Sequence, residues 1–288
     1  MATDSPAKAS SPLISMRALQ PKHLPSHPSL ATQQASTPSL PTLDAFLTSA
    51  LTEAETFATT YLPAHFQPKG TKTSPPAHAP VEVLAHDRTP PGSSNAEAWF
   101  ARTSVHENAA KEGTASWEEF DAALRVNHSQ HEKDYTPDVQ EAHQALEWDT
   151  SDHNTVADKW RDITMNIMEM RHKIPPPLSP RVFSVLVITA RSTASTSPPS
   201  FFVVQIPVDL TGVSGAKYWG DKKVVQGMYC SIERAELVEE GQKVRWQMAT
   251  ASDAKGVLPM VVQKMAVPGA VVKDVGLVVG WVGRKRGR

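Results

Sequence analysis

The sequence predicts an α+β fold in which a long C-terminal helix lies across a curved antiparallel sheet. Two observations carry this prediction. The second half of the chain consists mostly of short runs with the alternating or continuous apolar pattern of β-strands. Residues 258–282 instead carry apolar side chains at steps of three and four, which is the period of one helix face. A sheet covered by that helix would bury the apolar side chains of both the strands and the helix.

The first 40 residues are rich in Pro, Ser, Thr and Ala. Such a composition cannot bury enough apolar surface to offset the loss of chain entropy, so residues 1–40 are predicted to be disordered. A helix is predicted over residues 43–62, where leucine and phenylalanine recur at helical spacing. Thr42 or Asp44 is expected to cap its first turn.

Two strands and two helices are predicted next. The runs VEVLAH (81–86) and AWFARTSVHE (98–107) alternate, and the DRTPPGSSN segment between them is typical of a hairpin loop. Ser116 and Glu119 have the spacing of a capping box at a helix start. The run TPDVQEAHQALEW (136–148) predicts a second helix, because its proline stands at the first helical position.

Antiparallel strands are predicted for the second half of the chain. They cover the runs that begin at Ile163, Arg181, Phe201, Val224 and Lys243. The last two runs are joined by VEEGQ, a short connection with glycine that favours a hairpin.

One apolar stripe marks the predicted C-terminal helix. Its members are Leu258, Val261, Met265, Pro268, Val272, Val275, Val279 and Val282. Pro268 should kink or interrupt this helix, because proline lacks a backbone donor and clashes with the preceding turn. Charged residues within the segment argue against a membrane span.

Composition narrows the functional classes. The 288 residues include one cysteine, so no disulfide can form within the chain, as is typical of a reducing compartment. The formal net charge of −1 gives no general attraction to nucleic acid or membranes. The N-terminus lacks the continuous apolar core of a signal peptide. We therefore expect a soluble, cytoplasmic protein.

Several runs resemble a fungal family of START-like domains of unknown function. They include WFARTSVHE, HSQHEKDYTP, EMRHKIPPPLSPRVFSVLV, SIERAE and MATASDAKGVLP. The resemblance implies the helix-grip fold, an incomplete antiparallel barrel that grips the C-terminal helix and leaves a lipid-sized cavity between them. It implies a START-like domain, which we place over residues 41–283, and the basic residues after it form a tail at 284–288. The Pro-rich stretches 63–80 and 191–200 depart from better-known START proteins and could reshape the cavity mouth.

The run MATASDAKGVLP, residues 248–259, joins a predicted strand to the C-terminal helix. Its small residues allow the two elements to approach closely. Ser252 or Asp253 can cap free helix amides, and Gly256 permits a turn that other residues resist. These features fit either a plain strand-to-helix connection or a loop that opens to admit a lipid.

Alternating strand faces supply the candidate ligand-binding residues, although ordinary core packing explains such faces as well. The predicted set is Arg102, Ser104, Met165, Phe183, Val185, Phe202, Val204, Tyr229, Trp246, Met248, Leu258, Val261 and Met265. A buried arginine needs a carboxylate or a ligand group, because an unpaired buried charge costs several kcal/mol. We expect Arg102 to pair with Glu169 or Glu233 at the polar end of a cavity; the alternative is that these residues face solvent.

The predicted function is binding of a lipid or other hydrophobic small molecule by a non-catalytic carrier or sensor, without a cofactor. One alternative is an enzyme, such as a cyclase or hydrolase of a polyketide-like or aromatic substrate, with His106, Tyr229 or Glu233 as acid–base candidates. Another is a protein-interaction module with a filled core. No metal site is expected, because His128 and His131 lack a clear third ligand. The basic tail could touch anionic membranes, and nucleic acid is not an expected partner.

Overall fold

The computed structural model describes residues 12–91, 93–153, 155–193, 198–256 and 260–287, with the side chains of 260–265 excluded. Nine strands form one sheet: β1 (Gln67–Ser74), β2 (Ala77–Arg88), β3 (Glu97–Glu107), β4 (Val139–Trp148), β5 (Trp160–His172), β6 (Arg181–Ser192), β7 (Ser200–Pro207), β8 (Val225–Val238) and β9 (Lys243–Asp253). Their spatial order is β1-β2-β3-β9-β8-β7-β6-β5-β4, and all neighbours in this order are antiparallel.

Helices cover both faces of this sheet. They are α1 (Ala31–Gln34), α2 (Leu43–Thr56), α3 (Leu62–His65), α4 (Trp117–Phe120), α5 (His128–Tyr135) and α6 (Met260–Arg286). Phe57–Tyr61 and Asp121–Arg125 are π-helical turns that extend α2 and α4. The Thr42 hydroxyl caps α2, and Ser116 and Glu119 form the predicted capping box of α4.

The sheet has two buried faces, which the alternation of strand side chains assigns. The inner face looks toward α6 and carries Phe201, Val244 and Trp246. The outer face is covered by α2 and residues 12–40, and it carries Trp99, Phe202 and other apolar side chains. Because adjacent strand residues point to opposite faces, a shift of one residue moves a side chain from one core to the other.

Helix α6 lies on the inner face through the predicted stripe. Val272, Val275, Val279 and Val282 are all buried there. The helix continues through Pro268, so the expected interruption is wrong. Proline removes a single backbone hydrogen bond, and the buried valines of the following turns hold the helix against the sheet. The segment Ala266–Arg286 is long and apolar enough to cross a membrane, a test that a core helix of a soluble protein also passes.

Residues 12–40 are ordered, which corrects the prediction of disorder over 1–40 for this part; residues 1–11 lie outside the described chain. Ile14, Leu19, Leu24 and Leu30 are almost fully buried on the outer face. Leu19 also exchanges backbone hydrogen bonds with Pro207 and Asp209, each 2.8 Å long. The average composition of the segment conceals these apolar residues, each of which fills a separate place on the sheet.

Three other segments carry secondary structure that was not predicted from the sequence. Residues 136–148 contain strand β4 rather than a helix, because pairing with β5 at the sheet edge overrides local propensity. The Pro-rich stretch 63–80 includes β1, which pairs with β2. The predicted tail at 284–288 is helical as far as Arg286, whose guanidinium makes two 2.5 Å hydrogen bonds to Glu119. The predicted β8–β9 hairpin is present.

Candidate functional site

A cavity of about 240 Å³ lies between the inner face and α6. Its sheet wall consists of Arg102, His172, Gln205, Tyr229, Ser231, Glu233, Trp246, Met248, Thr250 and Ser252. Helix α6 supplies Val267, Ala270, Val271, Lys273, Asp274, Leu277 and Val278. The remaining wall comes from α5 and the residues after it: His128, Glu132, Tyr135, Thr136, Pro137 and Asp138. The sheet side of the cavity is therefore strongly polar, and the helix side is mostly apolar but includes Lys273 and Asp274.

The centre of the polar side is a row of three residues across three strands. Arg102 on β3 lies opposite Met248 on β9, which lies opposite Glu233 on β8. Two strand spacings, each about 4.8 Å, separate the outer members of the row. The long arginine side chain spans this distance, and its Nη2 donates to Glu233 Oε1 at 3.1 Å. The sequence-based pairing of Arg102 with Glu233 is thus present.

The indole of Trp246 completes this pair. Its Nε1–H donates to the same Glu233 oxygen at 2.8 Å, and the Arg102 guanidinium lies 3.9 Å from the ring centroid. Arg102 is only 1% exposed, yet its Nε and Nη1 have no hydrogen-bond partner within the described residues. Buried donors without partners are costly, so these two groups favour an acceptor in the cavity.

His128 is held as a neutral imidazole beside this pair. Its Nδ1–H donates to the Leu124 carbonyl at 2.6 Å, because a carbonyl oxygen can only accept. Its Nε2 therefore accepts from the Gln205 amide at 3.0 Å. Burial lowers the pKa of His128, which agrees with this arrangement.

Two further carboxyl groups face the cavity. Burial, followed by the charges of Asp274 and Glu233, raises the pKa of Glu132 to about 8. The Oε2 atom of Glu132 is buried and has no hydrogen-bond partner in the described chain. Burial also raises the pKa of Asp274 to about 6, with Glu233 adding to the rise and Arg102 opposing it. Arg102 therefore shares the cavity wall with the carboxyl groups of Glu132, Glu233 and Asp274, and Asp138 and Lys273 also line it.

A second, larger cleft of about 770 Å³ adjoins the cavity at Ser252, which lines both. It lies between residues 12–17, the loop after β2 and the end of β9 rather than between the sheet and α6. The run MATASDAKGVLP passes this point, and Arg181 holds it by donating to the Ala254 carbonyl at 2.6 Å. Residues 257–259, which complete the connection to α6, lie outside the described residues.

The predicted ligand-binding residues divide into four groups. Arg102, Tyr229, Trp246 and Met248 line the cavity. Ser104, Phe183 and Val185 are on the inner face but outside the lining. Met165, Phe202 and Val204 pack in the outer core, which corrects their predicted place. Leu258 lies outside the described residues, as do the side chains of Val261 and Met265.

The error in β7 has a simple cause. Phe202 and Val204 alternate with Phe201 and Val203, and both sets are buried. When a strand is apolar on both faces, alternation alone cannot tell which face meets the helix. Glu169, the other partner suggested for Arg102, is on the outer face, where it accepts backbone hydrogen bonds from Lys217 and Tyr218.

Sequence reasoning missed several polar residues of the cavity. His128 and Glu132 are four residues apart, a spacing that places both on one helix face. Asp274 interrupts the valine run of α6, and Thr250 continues the strand face of Trp246. These signals were in the sequence, but only the packing of α5 against the sheet brings the residues together.

The residues proposed for alternative chemistry are dispersed. His106 bonds to the Ser104 hydroxyl at 2.8 Å and lies outside the cavity lining. Burial lowers its pKa to about 4. Tyr229 and Glu233 do line the cavity, and burial raises the pKa of Tyr229. Among the described residues, no group of three or more His, Cys, Asp or Glu is placed to hold a metal ion.

The chain is similar to several solved structures. Human StAR-related lipid transfer protein 5 is similar with a TM-score of 0.53 at 12% identity, over 83% of this chain and 98% of that one. Human STARD10 gives 0.49 at 15% identity, over 81% and 82%. The lipid transfer and protein localization domain of human StarD13 gives 0.48 at 12%, over 78% and 94%. No match was found among curated proteins.

At such identities the likeness concerns the fold alone, and the first of these structures confirms the predicted helix-grip architecture of a START-like domain. The sequence itself matches, over residues 99–282, the family described as "Protein of unknown function (DUF3074)". The fold that encloses the Arg102 cavity is that of a START-like domain. The chain belongs to the DUF3074 family, whose function is unknown.

Proposed function

We propose that the protein binds a lipid or another hydrophobic small molecule in the cavity between the sheet and α6, as a non-catalytic carrier or sensor. The observation that carries this proposal is Arg102, which is buried at the cavity wall with two guanidinium nitrogens, Nε and Nη1, that lack hydrogen-bond partners among the described residues. A ligand with a hydrogen-bond acceptor would satisfy them. Its apolar part would then lie along the valine and alanine side chains of α6.

The driving force would be the removal of apolar ligand surface from water, at about 25 cal/mol per Å². The polar groups would contribute orientation more than affinity. A ligand with both an acceptor and a donor suits the site best, because Arg102 offers donors and Glu132 offers an unpaired oxygen.

Cavity size constrains the ligand. Its volume of about 240 Å³ lies below the range of roughly 300–1,000 Å³ that is typical of small-molecule pockets. A small ligand would fit the present geometry, whereas a long-chain lipid requires α6 or a mouth loop to move outward. The Ser252 end, where the cavity meets the larger cleft, is the place we assign to that opening. The buried single cysteine, Cys230, suits a cytoplasmic location.

An enzyme is the second candidate, and one observation favours it. His128 Nε2 and Glu132 Oε2 are 3.7 Å apart in the cavity wall. Both nitrogens of His128 already have partners, however, so it could act as a base only after Gln205 moves away. If the wild-type protein converts its bound ligand to a product, and both His128→Gln and Glu132→Gln abolish this conversion, the enzyme would be favoured over the carrier.

Native mass spectrometry of the purified full-length protein, followed by organic extraction, tests the main proposal. We expect a reproducible hydrophobic species on the wild-type protein. Met248→Trp should displace it, because the larger ring would project from the sheet wall into the cavity beside the Arg102–Glu233 pair. The matched control is Arg245→Trp, which places the same ring on the same strand at the outer face, where Arg245 is 42% exposed.

Fluorescence titration with anilinonaphthalene sulfonate supplies a second readout. The control variant should bind this probe like the wild type, while Met248→Trp should bind it at least several-fold more weakly. Absence of any bound species, together with equal probe binding by both variants, would refute the carrier proposal.

A further inference from the structure

Trp219, on the loop between β7 and β8, is exposed to solvent. The side chain of Trp219 is 52% exposed, compared with 40% for Val105 and Val126, the other exposed large apolar residues of the described chain. An exposed indole contributes nothing to the core. A single exposed apolar residue is normal in a soluble protein, so the groups around Trp219 decide whether it marks an interaction site.

The turn that carries this tryptophan is firmly held. The Tyr218 carbonyl accepts from the Asp221 N–H at 3.2 Å, and Gly220 supplies the positive φ of 78° that the turn requires. Glu169, which is 1% exposed, accepts the backbone N–H groups of Lys217 at 2.6 Å and Tyr218 at 3.0 Å. The indole is therefore displayed by an ordered turn fixed to the sheet.

Cationic side chains surround the turn. Lys222 and Lys223 follow it directly and are exposed, and neither forms an ion pair with any described residue. Arg171 is close enough for its charge to act on Tyr218. Of the acidic groups near the turn, Glu141 is paired with Lys217, Glu169 accepts the two backbone N–H groups named above, and Asp221 accepts the backbone N–H of Lys223.

The turn lies at the same end of the sheet as the Ser252 end of the cavity. Val225, which follows the lysines, pairs with Arg181 on β6, and Arg181 pairs with His172 of the cavity wall. A Cβ on Gly256, just before α6, would lie 3.6 Å from the Val225 side chain. A surface that bound the Trp219 turn would therefore approach the end of the sheet at which the opening was assigned.

We propose that the Trp219 turn docks on the surface of an anionic lipid bilayer, with the indole at headgroup depth and the nearby cations against the lipid charge. Tryptophan is enriched at membrane interfaces, and basic clusters bind anionic lipid. A protein partner fits less well, because lysine is depleted at protein interfaces and a stable one needs about 1,000 Å² of buried surface.

Vesicle flotation of the full-length protein tests this surface. The probes are vesicles of phosphatidylcholine alone and of phosphatidylcholine with phosphatidylserine. We expect binding to the mixed vesicles that is at least ten-fold stronger than to the neutral ones and weakens with salt. Trp219→Ser should lower binding at least five-fold. So should Lys222→Gln with Lys223→Gln, since each basic residue near a charged surface contributes about five-fold.

Val126→Ser is the matched control, because it removes another exposed apolar side chain and should leave vesicle binding unchanged. Arg284→Gln with Lys285→Gln tests the competing tail surface and should also have little effect. The docking proposal is overturned if Trp219→Ser binds like the wild type, if binding is lost with the tail variant instead, or if no vesicle binds. Trp219→Ser should still carry the hydrophobic species in native mass spectrometry. A loss of vesicle binding in this variant would therefore bear on the docking surface and not on ligand binding in the cavity.

Discussion

Arg102 and Glu233 form an ion pair over an intervening strand, with 3.1 Å between Nη2 and Oε1. Both side chains are buried, and Trp246 bonds to the same glutamate oxygen. Glu233 forms no other ion pair with a described residue, and Trp246 is neutral, so Arg102 is the charge that compensates Glu233. The stability of the fold and the polarity of the cavity therefore depend on the same two residues.

Replacement of Arg102 by methionine should destabilise the protein by about 3–5 kcal/mol, because it leaves Glu233 as an uncompensated buried charge. Urea unfolding measures the loss. The double variant Arg102→Met with Glu233→Gln should recover part of it, since the charge is then absent. Arg161→Met is the control: its pair with Asp162 is about 42% exposed, so the change should be at most about 1 kcal/mol. Equal losses for Arg102→Met and Arg161→Met would contradict the buried pair.

Glu132 should make stability depend on pH. Its pKa in the folded protein, about 8, is above the ordinary value of 4.5, so folding favours the protonated form. Below about pH 4.5 the Glu132 carboxyl is protonated in both the folded and the unfolded protein, so it does not lower the free energy of unfolding. Between pH 4.5 and 8 the free energy of unfolding falls, and above about pH 8 the destabilisation by the buried charge is complete. Glu132→Gln should be more stable than the wild type by at least about 1 kcal/mol at pH 8.5, and the difference should vanish near pH 4.5.

Unfolding of both proteins across this pH range checks the prediction, with Glu112→Gln as an exposed control. A stability difference that stays constant from pH 4.5 to 8.5 would show that Glu132 does not titrate in this window.

Asp274 should change the stability of the protein over a narrower pH range than Glu132 does. Its pKa of about 6 exceeds the ordinary 3.8 mainly because of burial, and the Arg102 charge limits the rise. The gain in stability from Asp274→Asn should grow from about pH 4 and be complete near pH 7. In Arg102→Met the Asp274 carboxyl should titrate at higher pH than in the wild type, which carboxyl-carbon NMR would measure. A lower or equal pKa in that variant would place the two groups too far apart to interact.

The fold was largely predictable from sequence because α6 and the strands have strong, distinct periods. The valine stripe of 272–282 and the hairpin of β8 and β9 depend on local patterns, and both are present. Strand β4 was not predicted, because its identity comes from pairing with β5 rather than from its own residues. Order over residues 12–40 likewise depends on a sheet face that composition does not reveal.

The site was less predictable. Alternation found Trp246, Met248 and Arg102, because their strands carry a clear difference between faces. It failed for Phe202 and Val204, whose strand is buried on both sides. Asp274 and Glu132 belong to helices whose rotation about the sheet is set by close packing. No sequence period specifies that rotation.

Gly276 sets one of these close contacts, between α6 and the β1–β2 turn. Its N–H donates to the Ser74 hydroxyl at 2.8 Å, and an added Cβ would lie 2.4 Å from the Pro75 carbonyl oxygen. Because the obstacle is backbone, Gly276→Ala must push the helix away, and we expect a loss of about 1–3 kcal/mol.

Gly283→Ala provides the matched control, since it makes the same change on the same helix at a position where the added Cβ would have no atom of another element within 4 Å. Alanine favours helix over glycine by up to about 1 kcal/mol, so this variant should be stabilised rather than weakened. Thermal and urea unfolding of the two variants should therefore shift in opposite directions. If Gly276→Ala also raised stability, helix propensity would outweigh the contact, and α6 would not be positioned by Ser74 and Pro75.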